Sequence, residues 1–262
     1  MGVLHGGVLW WGEEEIALAF DRTAHRRFVL TLGAVFGVFF LLMGLSPWDR
    51  EVWLLENVLT LVGVLIVAFT FNHLTLSRIS YGCVFVFLVL HTIGSHYTYS
   101  LTPYDAFSQS AFGVSIDARF GFERNHYDRL VHFCYGLLLA YPAREIFLRV
   151  AHVRGFWGYA LPLMLTLATS ALYELIEWGA AVVFGGDLGL DYVGTQGDVW
   201  DSHKDTALAT SGAAITLAVV GAINVCLQRD FHDEWLESLR VKDDEPLGES
   251  KIARLWKTRH QA

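Results

Sequence analysis

The 262-residue sequence predicts an all-α polytopic membrane protein, a bundle of six transmembrane helices, and three observations carry that prediction. Hydrophobic residues make up 53% of the chain and charged residues only 18%, whereas a soluble domain carries about 25% charge. The apolar residues fall into six long blocks, most of them long enough for a hydrocarbon core of about 30 Å. The strict in/out alternation of a membrane barrel is missing, and helix is the remaining backbone form that satisfies its own hydrogen bonds in lipid.

The blocks run approximately over 28–45, 52–71, 79–97, 130–149, 156–184 and 206–227. The fifth exceeds the required length, so it is expected to tilt or to project from the bilayer. Residues 1–27 place Glu13, Glu14 and Glu15 before Arg22, Arg26 and Arg27, the reverse of a signal peptide. This stretch is expected to lie at the inner interface, with Trp10 and Trp11 at headgroup level. Two connections read as external loops, 98–129 and 185–205. Residues 228–262 read as a charged cytoplasmic tail, in which Phe231, Trp235 and Leu239 recur at the spacing of a short amphipathic helix.

Basic residues set the expected orientation. Arg22, Arg26, Arg27, Arg78, Arg144, Arg149, Arg154, Arg229, Arg240 and Lys242 fall on one side, and Arg50, Arg119, Arg124, Arg129 and Lys204 on the other. The ten-to-five excess predicts cytoplasmic amino and carboxyl ends. A net charge of −8 leaves no basic stripe for a nucleic acid. Cys83, Cys134 and Cys226 lie within apolar runs and read as small core residues.

Ionisable side chains within spans are costly and mark function by default. Placed by depth, they converge on the outer side: His91 and His96 at the end of the third span, Asp128 and His132 at the start of the fourth, and Glu174 and Glu177 in the outer half of the fifth. Asp198, Asp201, Lys204 and Asp205 stand at the entry to the sixth. Asp128/His132 and Asp201/Asp205 are i,i+4 pairs and Glu174/Glu177 an i,i+3 pair, each on one helix face. Such a set suits a divalent metal ion (zinc, manganese or iron) held by His91, His96, Asp128, His132, Asp198, Asp201 and Asp205. Glu174 or Glu177 is expected as general base and Lys204 as a contact for an anionic group. The blander expectation pairs Asp128 with Arg124 or Arg129, and Asp201 or Asp205 with Lys204, as headgroup-level ion pairs. Glu145 and Arg149 at the cytoplasmic end are expected to form an i,i+4 pair.

Three functions are compatible with this pattern. The first is a metal-dependent hydrolase or transferase acting on a lipid or cell-envelope precursor reached from the membrane. The second is a proton- or cation-coupled transporter, which the one-sided acids and the absence of internal repeats disfavour. The third is a non-catalytic membrane scaffold.

The segments Ala171-Leu-Tyr-Glu-Leu-Ile-Glu-Trp178 and Gly194-Thr-Gln-Gly-Asp-Val-Trp-Asp-Ser-His-Lys-Asp205 resemble the YjdF-type family of bacterial inner-membrane proteins of unknown function. Asn125-His-Tyr-Asp-Arg-Leu-Val-His132 and the stretch from His91 through His96-Tyr-Thr-Tyr fit the same family, over roughly residues 30–225. The resemblance implies an inner-membrane location and no activity. A looser likeness links Asp128, His132, the following glutamate and the Asp-rich last span to VanZ-like membrane proteins, which are associated with resistance to glycopeptides. Asp205 is followed by Thr206 and Ala207, not by the Asn-x-x-Gly usual there.

Overall fold

The computed structural model describes residues 21–186, 189, 196–242 and 248–259. The segment holding Trp10 and Trp11, and Gly194 and Thr195 of the external loop, lie outside the described residues. All regular structure among the described residues is helical: α1 (Arg22–Leu45), α2 (Arg50–Thr70), α3 (Arg78–His96), α4 (Tyr104–Phe112), α5 (Ile116–Phe120), α6 (Tyr127–Val150), α7 (Trp157–Phe184), α8 (Asp201–Leu227), α9 (Phe231–Ser238) and α10 (Glu249–Arg259).

Caps fix where the first three helices begin. Asp21 accepts hydrogen bonds from the amides of Thr23 and Ala24 at 2.8 and 3.0 Å. Asp49 does the same for Glu51 and Val52 at 2.8 and 2.9 Å, and Ser77 for Ser80 at 3.1 Å. Each satisfies amides that a helix start leaves unpaired. α1 therefore starts six residues before its apolar block, and α6 and α8 likewise begin ahead of theirs. In consequence Asp128 and Asp201 sit in the first turn of a helix.

α1, α2, α3, α7 and α8 are long and apolar enough to cross a bilayer. α6 matches them with 24 residues but carries Asp128 and Arg129 at one end and Arg144, Glu145 and Arg149 at the other. This most polar of the long helices occupies the middle: it packs on α3, α7 and, most extensively, α8.

The α6–α8 contact is made by small residues. A Cβ built on Gly136 would stand 1.7 Å from the Ala209 carbonyl oxygen, and one on Gly212 would stand 2.2 Å from that of Phe133. Ala140, Ala209 and Ala213 are fully buried beside them, and Thr216 donates its hydroxyl to the Leu137 carbonyl across the interface. Close backbone approach of this kind is how helices associate where no water drives them together. By contrast α2 is packed lightly, mainly against α3. It meets α1 near their shared turn, where Phe40 stacks against Trp53 with ring centroids 5.3 Å apart.

At the end opposite the cluster, Glu145 pairs with Arg149 at 2.9 Å and accepts from the Ser77 amide and the Ser80 hydroxyl. α9 docks on the α6–α7 turn: Glu234 accepts from the Gly155 amide at 3.0 Å and Ser238 from the Phe156 amide at 2.9 Å. Phe231 and Trp235 stack on Tyr159, while Leu239 is left exposed. The amphipathic helix read from the sequence thus turns two of its apolar residues toward its own bundle. The connection between α3 and α6 is ordered as well. Asp105 accepts from the Ser115 hydroxyl at 3.0 and 3.1 Å and from the Asp117 amide at 2.9 Å, closing α4 onto α5.

Candidate functional site

Asp128 and His132 lie one turn apart on α6 and face Asp205 of α8 and Glu174 of α7. One ligand atom each from Asp128, His132 and Asp205 lies within 4.8 Å of the others. His132 Nε2 is 3.6 Å from Asp128 Oδ1 and 3.6 Å from Glu174 Oε1, beyond hydrogen-bond reach of either. Asp205 is only 2% exposed, and its Oδ1, like Glu174 Oε1, has no hydrogen-bond partner among the described residues. Buried carboxylate oxygens without partners are rare, because leaving them so is costly. Zinc ligands stand about 2.0–2.2 Å from their ion, so these three atoms would have to draw closer to share one. Asp128, His132 and Asp205 are the residues that could hold a divalent metal, and their oxygen and nitrogen donors are of the kind it takes.

Around this group stand further buried acids. Glu177 lies one turn along α7 from Glu174, and Glu56 of α2 accepts the Tyr173 hydroxyl at 3.0 Å. His91 is buried with its Nδ1 against the Tyr99 hydroxyl and its Nε2 without a hydrogen-bond partner. It shares one cavity with Glu56, Asp128 and His132.

The remaining residues nominated from the sequence lie elsewhere. His96 turns its Nδ1 to the Met43 carbonyl at 2.7 Å and sets its ring edge-on to Tyr97, away from the three-residue group. Asp198 and Asp201 belong to an ion network above the cluster. Asp201 pairs with Arg124 and, at 3.2 Å, with Arg129; Asp198 pairs with Arg129 and, at 2.6 Å, with Lys204. Ion pairing therefore occurs, but with other partners than expected: Lys204 takes Asp198 rather than Asp201 or Asp205, and Arg124 and Arg129 take Asp201 and Asp198. The Lys204 ammonium and the Trp200 amide hold the Asp198 carboxyl well below the usual aspartate range. Tyr173 gains a role that the sequence reading did not give it, and Arg124 and Arg129, expected beside Asp128, take Asp201 and Asp198. Glu56, an acid one turn inside the second apolar block, is readable as able to reach the cluster, and it shares the cavity with His91, Asp128 and His132.

Helices long and apolar enough to span, a centre of small residues, and buried acids and imidazoles define an integral membrane protein. The chain belongs to the family described as "Predicted membrane protein (DUF2238)", which matches residues 28–225. It is 35% identical over 189 residues to "Inner membrane protein YjdF" of Escherichia coli (strain K12), covering 72% of this chain and 86% of that protein. No solved structure matches the chain.

Proposed function

We propose that this chain is a six-span bacterial inner-membrane protein with both ends in the cytoplasm, and a metal-dependent hydrolase or transferase acting on a lipid or envelope precursor. Six crossings are supported by α6, which equals α1 in length and lies at the centre of the bundle. The ten-to-five distribution of basic residues supports the orientation. The name of the Escherichia coli relative supports the membrane.

The observation that carries the catalytic reading is the approach of Asp128, His132 and Asp205 to within 4.8 Å. A zinc, manganese or iron ion there would activate water or polarise a phosphoryl or carbonyl oxygen. Glu174, 3.6 Å from His132 with one oxygen uncommitted, is positioned to take a proton as general base. Glu177 lies one turn nearer the outer end of α7 and adds a second acid to the same face. Lys204, half-exposed beside Asp198, lends positive charge at the mouth for an anionic substrate group.

Metal content tests this directly. Protein purified without chelator is expected to carry about one divalent ion per chain, in line with one three-ligand site, and Asp128→Asn or His132→Ala to lose it. Protein that is metal-free and takes up neither zinc, manganese nor iron overturns the reading.

A further inference from the structure

An elongated cavity of about 730 Å³ lies between α1, α2, α3, α6 and α7. Its polar end is formed by Glu56, His91, Asp128 and His132, and the rest of its wall is almost wholly apolar. α2 lines it from Glu56 to Val67, a rise of roughly 16 Å at 1.5 Å per residue. That depth is about half of a ~30 Å hydrocarbon core, the reach of one lipid leaflet. Three glycines stand in the wall, Gly33 and Gly37 on α1 and Gly63 on α2, and a Cβ added at any of them meets nothing within 4 Å. The space is therefore continuous past the glycines and free of neighbouring side chains.

A void of this size does not stay empty within a bilayer. Water enters a cavity only where it finds several polar partners together. This wall gathers them at one end, while the hydroxyls of Tyr81, Tyr135 and Thr169 elsewhere along it are engaged with protein groups. Hydrocarbon is the surrounding solvent, and lightly packed α2 is the wall that separates it from the cavity.

We propose that the cavity is a lipid site, which takes one acyl chain of a membrane lipid between α1, α2 and α3 and presents the lipid's polar head to the Glu56–Asp128–His132 end. The proposal deepens the metal-enzyme reading and rests on it for the chemistry done at the head. It names the substrate class as a lipid drawn in sideways by its chain. Burying a chain here gains little over leaving it in the bilayer, since lipid is as apolar as leucine. Selection is therefore by shape along the chain and by polar contact at the head, and Gly33, Gly37 and Gly63 set the bore.

The test uses the full chain in vesicles of phosphatidylethanolamine and phosphatidylglycerol. These carry a phosphatidylglycerol probe with a diazirine on its acyl chain. After irradiation, Val64 and Leu88, which line the cavity, are expected to be labelled as lipid-facing Leu65 is, and well above Leu217, which is buried away from the cavity. Gly37→Leu with Gly63→Leu is expected to cut labelling at Val64 and Leu88 roughly tenfold, the lower range of what overpacking costs, and to leave Leu65 unchanged. Labelling at Val64 and Leu88 no higher than at Leu217, or labelling untouched by the leucines, overturns the proposal. Should the double variant fail to fold, Gly33→Leu alone carries the same comparison. Metal content separates the two readings. Loss of selective labelling in a protein that still holds its ion sinks only the lipid site, and selective labelling in a protein that never takes an ion sinks only the metal enzyme.

Discussion

Tyr173 donates its hydroxyl to Glu56 at 3.0 Å and so joins α7 to α2 at the level of the cluster, across 117 positions of chain. With the buried Asn57–Ser95 hydrogen bond at 3.1 Å, which ties α2 to α3 one residue further on, this bond holds Glu56 in place. Tyr173→Phe keeps the ring and removes the donor. A lost hydrogen bond to a buried acceptor costs about 1–3 kcal/mol, and a lower midpoint of thermal unfolding in detergent is expected. Removing the acceptor's need as well, with Glu56→Leu in the same chain, is expected to recover part of that loss.

The crossing of α6 and α8 leaves no room for side chains. Gly136→Val and Gly212→Val are each expected to cost more than about 3 kcal/mol, because a Cβ would collide with backbone that cannot swing aside. Gly33→Ala, facing open space, is expected to be neutral or slightly stabilising, since alanine favours helix over glycine. Folded yield and melting temperature in micelles check both. A folded Gly136→Val would contradict the packing described.

Two guanidinium groups, Arg124 and Arg129, serve Asp198 and the deeply buried Asp201. Arg129→Gln is expected to destabilise by about 2 kcal/mol. That is below the roughly 3–5 kcal/mol of a buried charge left wholly alone, because Arg124 still reaches Asp201. Adding Asp198→Asn is expected to restore much of the loss, and a double-mutant cycle measures the coupling.

The turn between α4 and α5 titrates with acid. The Asp117 amide first, with help from the Ser115 hydroxyl, holds the Asp105 carboxyl below its ordinary value of about 3.9. A depressed carboxylate contributes its stability above the unfolded value and loses it as pH falls through the folded one. Protection of the amides over residues 104–120, taken relative to their intrinsic exchange rate at each pH, is therefore expected to stay constant from neutral pH down to that range and to fall below it. Asp105→Asn is expected to abolish the dependence.

The sequence made the membrane class, the positions of the long helices and the gathering of acids and histidines at one depth plain, because block length and helical depth are properties of one chain segment at a time. Partner choice was less legible. His96 lies on the same helix as His91, yet its ring turns to the Met43 carbonyl, because five residues at 3.6 per turn leave it about 140° around the axis, facing another neighbour. Asp201 was legible as a counter-ion only for nearby Lys204, and Asp198 not at all, since Arg124 and Arg129 reach them from over 60 residues away. The tight α6–α8 crossing escaped notice because Gly136 and Gly212 each sit alone in long apolar stretches, and only their meeting gives them meaning.

That crossing divides the molecule into a stiff half and a compliant one. With backbone lying against backbone, α6 and α8 can neither slide nor roll past each other, so Asp128, His132 and Asp205 keep their mutual spacing whatever happens around them. Admission of anything bulky must then fall to lightly packed α2, whose displacement breaks the Tyr173–Glu56 and Asn57–Ser95 links and little else. A breathing motion of that helix would open a lateral doorway while the three-residue group stays still.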